Sequence, residues 1–146
     1  MKIWLDMDGT IADFYGVEGW LNYLQNEDTT PYSAAKPLIN MSLLARYLNK
    51  LQAQGHEIGI ISWGSKHGSE DFLVKIGIAK FYWLAKHLPS VNFDYIKIER
   101  YGTNKLTVTG GGILFDDEER NRTTWGNGAY EPEKIFEILS QMIKAT

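Results

Sequence analysis

The stretch Lys2-Ile3-Trp4-Leu5-Asp6-Met7-Asp8-Gly9-Thr10-Ile11-Ala12-Asp13-Phe14 decides how the rest of this 146-residue chain is read. Its short apolar opening suits a buried strand, and it ends abruptly on two acids, Asp6 and Asp8, with only Met7 between them. Side chains alternate along a strand, so both carboxylates emerge together at its carboxyl end. Two like charges that close raise one another's pKa unless a cation or a shared proton relieves them. Gly9 then permits a turn or a close backbone approach that a side chain would block. Calcium loops share Asp-x-Asp-Gly, but they need a further Asp or Asn at loop position five and a Glu at twelve, and neither is present.

The composition sets the frame for these acids. At 44% hydrophobic and 23% charged residues the chain has the make-up of a globular domain able to bury a core. A net charge of −3 gives no basic footprint for a nucleic acid polymer. There is no cysteine, hence neither a disulfide framework nor a thiol nucleophile. No signal-like or membrane-spanning run is present, so the expected compartment is the cytoplasm, and the sequons at Asn40 and Asn121 carry no weight. No repeat or low-complexity segment divides the chain, which reads as one domain over 1–146.

Periodicity predicts helices over 19–25, 41–54, 69–76, 79–88 and 132–144, and strands over 57–62, 95–99 and 112–115. Residues 26–37 and 63–68 read as loops. Strands alternating with helices imply a parallel sheet covered on both faces, a Rossmann-like α/β fold. Ligands bind such sheets beyond the carboxyl ends of the strands. Ser62 stands at one such end, where a hydroxyl can donate to a phosphate oxygen. At another, Ile113-Leu114-Phe115 runs into Asp116-Asp117-Glu118-Glu119. Magnesium favours such hard oxygen ligands, using few carboxylates and keeping water and substrate phosphate in its other positions. Lys97, Arg100 and Lys105 are the candidate cations; Lys97 has the wrong parity to reach a shared edge.

An apolar strand followed by Asp6-x-Asp8-Gly9-Thr10 resembles the first motif of the haloacid dehalogenase-like (HAD) phosphohydrolases. The resemblance implies that Asp6 is a nucleophile, Asp8 a general acid/base, and that Gly9 and Thr10 shape the loop, with Thr10 counted among the phosphate ligands. Ser62 matches the second motif as a phosphate ligand. Lys105, eleven residues before Asp116, falls where the third-motif lysine does, which implies that it binds the phosphoryl oxygens together with Ser62. Asp116 and then Asp117 match the acidic fourth motif, so the implied Mg²⁺ ligands are Asp6, Asp8 through its carbonyl, Asp116 and Asp117. The implied reaction is phosphomonoester hydrolysis through an aspartyl-phosphate. Asp8 favours ester hydrolysis over the dehalogenases, which lack this acid, and the P-type ATPases, which carry Thr.

The stretch Lys80-x-x-Trp83-Leu84-x-Lys86-His87-Leu88-Pro89 with Lys105 and Asp116-Asp117 is similar to the 5′(3′)-deoxyribonucleotidase branch. That implies a small phosphorylated metabolite, a (deoxy)nucleoside monophosphate among them, with oligomer formation left open. The branch carries a helical cap after the first motif; here only about 14–37 is available as a minimal one. Phe14, Tyr15, Trp20 and Tyr23 invite a base-stacking role but read first as core packing. Gly110-Gly111-Gly112 lacks the lysine of a P-loop, and His56, His67 and His87 lack zinc spacing. The rival readings are a receiver-like phospho-acceptor domain and a catalytically idle phosphate-binding protein.

Overall fold

The computed structural model describes residues 1–145; the final residue of the expected 1–146 span lies outside the described residues. In chain order the elements begin with β1 (Lys2–Leu5), β2 (Ala12–Asp13), α1 (Trp20–Gln25), α2 (Thr30–Ala34) and β3 (Lys36–Pro37). Next come α3 (Met41–Ala53), β4 (Glu57–Trp63), α4 (Glu70–His87) and β5 (Tyr95–Glu99). The chain continues through α5 (Lys105–Thr109), β6 (Ile113–Phe115), α6 (Glu119–Trp125), β7 (Ala129–Tyr130) and α7 (Ile135–Ala145). Five strands form one parallel sheet in the order β5-β4-β1-β6-β7, with β1 at its centre. β2 and β3 form a separate antiparallel ribbon. Among the described residues no helix is long and apolar enough to cross a membrane.

Both faces of the sheet are covered, which is why Ile3, Trp4 and Leu5 are all buried. Ile3, Leu5, Ile58, Ile60 and Phe115 face Leu44, Leu48 and Leu51 of α3 and Ile135 and Leu139 of α7. Trp4, Ile61 and Leu114 face the other way, against Trp125 of α6. Gly59 pairs with Trp4 across β1 and β4, and a Cβ there would overlap the indole ring. The smallest residue thus makes room for the largest.

The structure departs from the sequence-based expectation at one long element. The two helices expected over 69–76 and 79–88 are one continuous helix, α4. Gly77 lies between the two expected spans, and a single helical glycine costs only about 1 kcal/mol against alanine, which burial of both halves outweighs. The Ser69 hydroxyl caps its start by accepting from the Phe72 N–H. The expected loop over 26–37 holds α2 and β3, and α5, α6 and β7 are additional. The end of the chain opens with a 3-10 turn at Pro132–Lys134 before α7.

Candidate active site

Asp6 directly follows β1, and its backbone N–H donates to the Phe115 carbonyl at 2.9 Å, extending the pairing with β6. That register puts Asp6 beside Asp116, the residue after β6. The chain then curls around the Met7 carbonyl, which accepts from the N–H groups of Thr10, Ile11 and Ala12 at 3.0 Å each. Gly9 adopts φ 80°, where a side chain would be strained. The loop returns Asp8 to the same cleft as Asp6, together with Ser62, Lys105, Asp116, Asp117 and Asn121. The structure therefore brings together the residues expected from the four strand-end motifs.

Two buried lysines sit among the acids. Lys105 opens α5, where Asn104 caps the helix by accepting from the Thr107 N–H. Its Nζ donates to Asp6 Oδ1 at 3.0 Å and to Asp116 Oδ2 at 2.7 Å. Burial works against the Lys105 charge, but Asp6 and Asp116 outweigh it and hold the pKa above the ordinary lysine value. The second is Lys80, in the middle of α4 and 1% exposed. Its Nζ donates to Asp8 Oδ2 at 3.0 Å, Ser62 Oγ at 2.6 Å and the Trp63 carbonyl at 2.7 Å. Sequence reading used Lys80 only as a mark of resemblance. The available signal was its spacing, since Ile76, Lys80 and Trp83 share one buried helical face.

Thr10 differs from expectation. It is fully buried, its hydroxyl lies 3.1 Å from Asp6 Oδ2 and 3.3 Å from Asp117 Oδ1, and it accepts from the Asp117 N–H at 3.2 Å. With its own N–H held by Met7, neither donor is open to a phosphate. Thr10 braces the two acidic loops against each other. Lys97 donates to the Val108 carbonyl along the sheet edge, and Arg100 pairs with Glu70 on the surface.

Asp6, Asp116 and Asp117 can each bring a carboxylate oxygen within 4.8 Å of the others. Their donor set is all hard oxygen, as a magnesium ion requires. The charge balance agrees. Five carboxylates line the cleft; Glu118 pairs with Arg120, and the other four, Asp6, Asp8, Asp116 and Asp117, meet only the two ammonium groups of Lys80 and Lys105, so acid is in excess. Burial and then the neighbouring Asp6 push Asp116 up to about 6 and Asp117 up to about 8. Burial, only partly opposed by Lys80 and reinforced by Asp6, likewise raises Asp8. Asp116 is already engaged at both oxygens, by Lys105, Asn121 and the Glu118 N–H. Asp117 is more open, with Oδ1 3.3 Å from the Thr10 hydroxyl.

Beside this cleft lies a larger one of about 370 Å³, lined by Phe14, Tyr15, Trp20, Tyr32 and Tyr101 with Lys66 and His67 at its edge. Phe14 and Tyr32 are buried as core, whereas Tyr15 is 53% exposed and packs edge-on against Trp20 at 5.2 Å. Tyr23, the fourth residue of the expected stripe, does not line it.

With this geometry the chain resembles known structures in its fold. The crystal structure of D,D-heptose 1,7-bisphosphate phosphatase from Burkholderia thailandensis superposes with a TM-score of 0.51 at 13% sequence identity. The match covers 95% of this chain and 98% of that one. The chain therefore shares that protein's fold: a Rossmann-like parallel sheet flanked by helices. No family model matches the sequence, and no curated protein does.

Proposed function

We propose that this protein hydrolyses small phosphomonoesters through an aspartyl-phosphate on Asp6, with Mg²⁺ as cofactor. The observation that carries the reading is Asp6 and Asp8 at the tip of the central strand, facing one cleft with Ser62, Lys105, Asp116 and Asp117. That the fold is shared with a heptose bisphosphate phosphatase supports it. An Asp6 oxygen attacks phosphorus and the ester P–O bond breaks. Asp8, whose raised pKa favours its protonated form, gives its proton to the departing alkoxide. Asp8 then takes a proton from water as that water attacks the acyl phosphate, releasing phosphate and freeing Asp6. Lys105 holds Asp6 in place, and the Ser62 hydroxyl binds a phosphoryl oxygen. Asp6, Asp116 and Asp117 with the Asp8 carbonyl would hold the metal, which neutralises phosphate charge when bound.

The aromatic cleft supports a planar leaving group and, with it, nucleoside monophosphates as substrates. Tyr15 and Trp20 offer rings on which a base can stack, next to Asp8, where the leaving oxygen must lie. The test is phosphate release from nucleoside, deoxynucleoside, sugar and aryl phosphates, with and without Mg²⁺, beside Asp6→Asn. Release that needs both Mg²⁺ and Asp6 is expected, with deoxynucleotides favoured. Undiminished release by Asp6→Asn would overturn the reading. A long-lived phosphoprotein without turnover would instead support the phospho-acceptor alternative.

A further inference from the structure

Lys80 is the largest charged side chain among the fully buried residues, set on the apolar face of α4 between Ile76 and Trp83. An ammonium in such a place is costly unless each of its protons is matched. Here they are: three N–H donors meet three acceptors, one each from Asp8, Ser62 and the Trp63 carbonyl. The Tyr32 ring adds its face, with the Nζ 5.1 Å from the ring centre. The lysine has no free donor left for a substrate. Its effect must pass through the groups it holds.

The chemistry of those groups sets what it does. An ammonium only donates, so Ser62 Oγ is bound to be the acceptor in their 2.6 Å contact. The serine hydroxyl proton is thereby turned away from Lys80, toward the cleft that Ser62 lines with Asp6 and Asp8. In the same way Lys80 occupies Asp8 Oδ2 and leaves Oδ1 as the oxygen free to carry the catalytic proton. One rigid helix position thus orients the donor for the phosphoryl oxygen and the acid for the leaving group.

We propose that Lys80 is a positioning residue for phosphoryl transfer, aiming the Ser62 hydroxyl at the phosphoryl group and the free Asp8 oxygen at the ester oxygen. This rests on the phosphatase reading above. It predicts a signature that loss of packing does not produce. Proton delivery by Asp8 is needed most when the leaving group is an alkoxide, and least when it is an acidic phenol.

The experiment compares wild type, Lys80→Met and Lys80→Arg with two substrates in Mg²⁺: a nucleoside monophosphate, which leaves as an alkoxide, and 4-nitrophenyl phosphate. Lys80→Met is expected to lower kcat/KM, which reports formation of the aspartyl-phosphate and not its common hydrolysis, by about 10²–10³-fold on the nucleotide, the scale of a general acid, and by no more than about tenfold on the aryl ester. Inhibition by inorganic phosphate is expected to weaken in parallel, because the Ser62 proton is no longer directed. Lys80→Arg keeps the cation but carries a planar fork that does not match three converging acceptors. It is expected to show the same leaving-group bias, and it provides the reading if Lys80→Met does not fold. Equal losses on both substrates, or none, would overturn the positioning role while the phosphatase reading stood. Absence of phosphate release by the wild type from either ester would overturn both.

Discussion

Gly9 and Asp117 lie so close that a Cβ on Gly9 would overlap the Asp117 carboxylate. The two loops at the end of β1 and β6 interlock there, backbone against side chain, with Thr10 bonded across the seam. Gly9→Ala should therefore do two things. The φ of 80° makes it cost about 1–2 kcal/mol of stability, and the added methyl pushes Asp117 out of place. A Mg²⁺ affinity lower by about 10–100-fold is expected, read by calorimetric titration.

The acid cluster makes stability depend on pH and on metal together. Asp117 titrates near 8 and Asp116 near 6 in the folded chain, against an ordinary 3.8. The folded state thus binds more protons than the unfolded one between about pH 4 and pH 8. The stability contributed by these two acids is largest below that window and is lost as pH rises through it. Thermal melts in EDTA should show Tm falling from pH 5 to pH 8. Added Mg²⁺ should flatten that slope, with its largest stabilisation at the alkaline end.

Lys105 bridges Asp6 and Asp116 while almost fully buried. Lys105→Met leaves both acids without their cation and should cost about 3–5 kcal/mol in urea unfolding. Combining it with Asp116→Asn should restore part of that loss, because the second change removes one of the stranded charges. A strictly additive double variant would argue against the bridge as the source.

Gly77 has open space where a Cβ would stand, in the interior of α4. Gly77→Ala should stabilise the protein by about 0.5–1 kcal/mol through lower backbone entropy in the unfolded chain. The shift in urea midpoint at constant slope measures it, and destabilisation would show that the glycine answers a packing need.

Much of the architecture follows from short-range signals. The apolar run into Asp6 and the one into Asp116 each mark a buried strand that ends in the cleft, and their parallel pairing brings the acids together. The elements that escaped prediction are short ones decided by their ends. Lys105–Thr109 carries β-branched residues, yet it is helical between the Asn104 cap and Gly110, which closes it at φ 79°. The buried lysine on α4 escaped for another reason. A lysine on a helix normally sends its head to water, and only the tertiary placement of Asp8 and Ser62 gives this one a reason to point inward.

The small element above the cleft is fastened to α4 along its length. Phe14 and Tyr32 share a core with Phe72, Ile76 and Ala79, Ser69 donates from its hydroxyl to Glu27 at 2.6 Å, and the Trp83 indole holds the Ala35 carbonyl at 2.8 Å. A roof stitched down at both ends has no hinge on which to swing. In the proposed reaction, substrates would then enter past Tyr15 and Trp20 rather than beneath a closing flap. The rim of that entrance is exposed to solvent at Tyr15. Within the proposed reaction, bulk water rather than a second alcohol is the acceptor best placed to reach the phosphorylated aspartate.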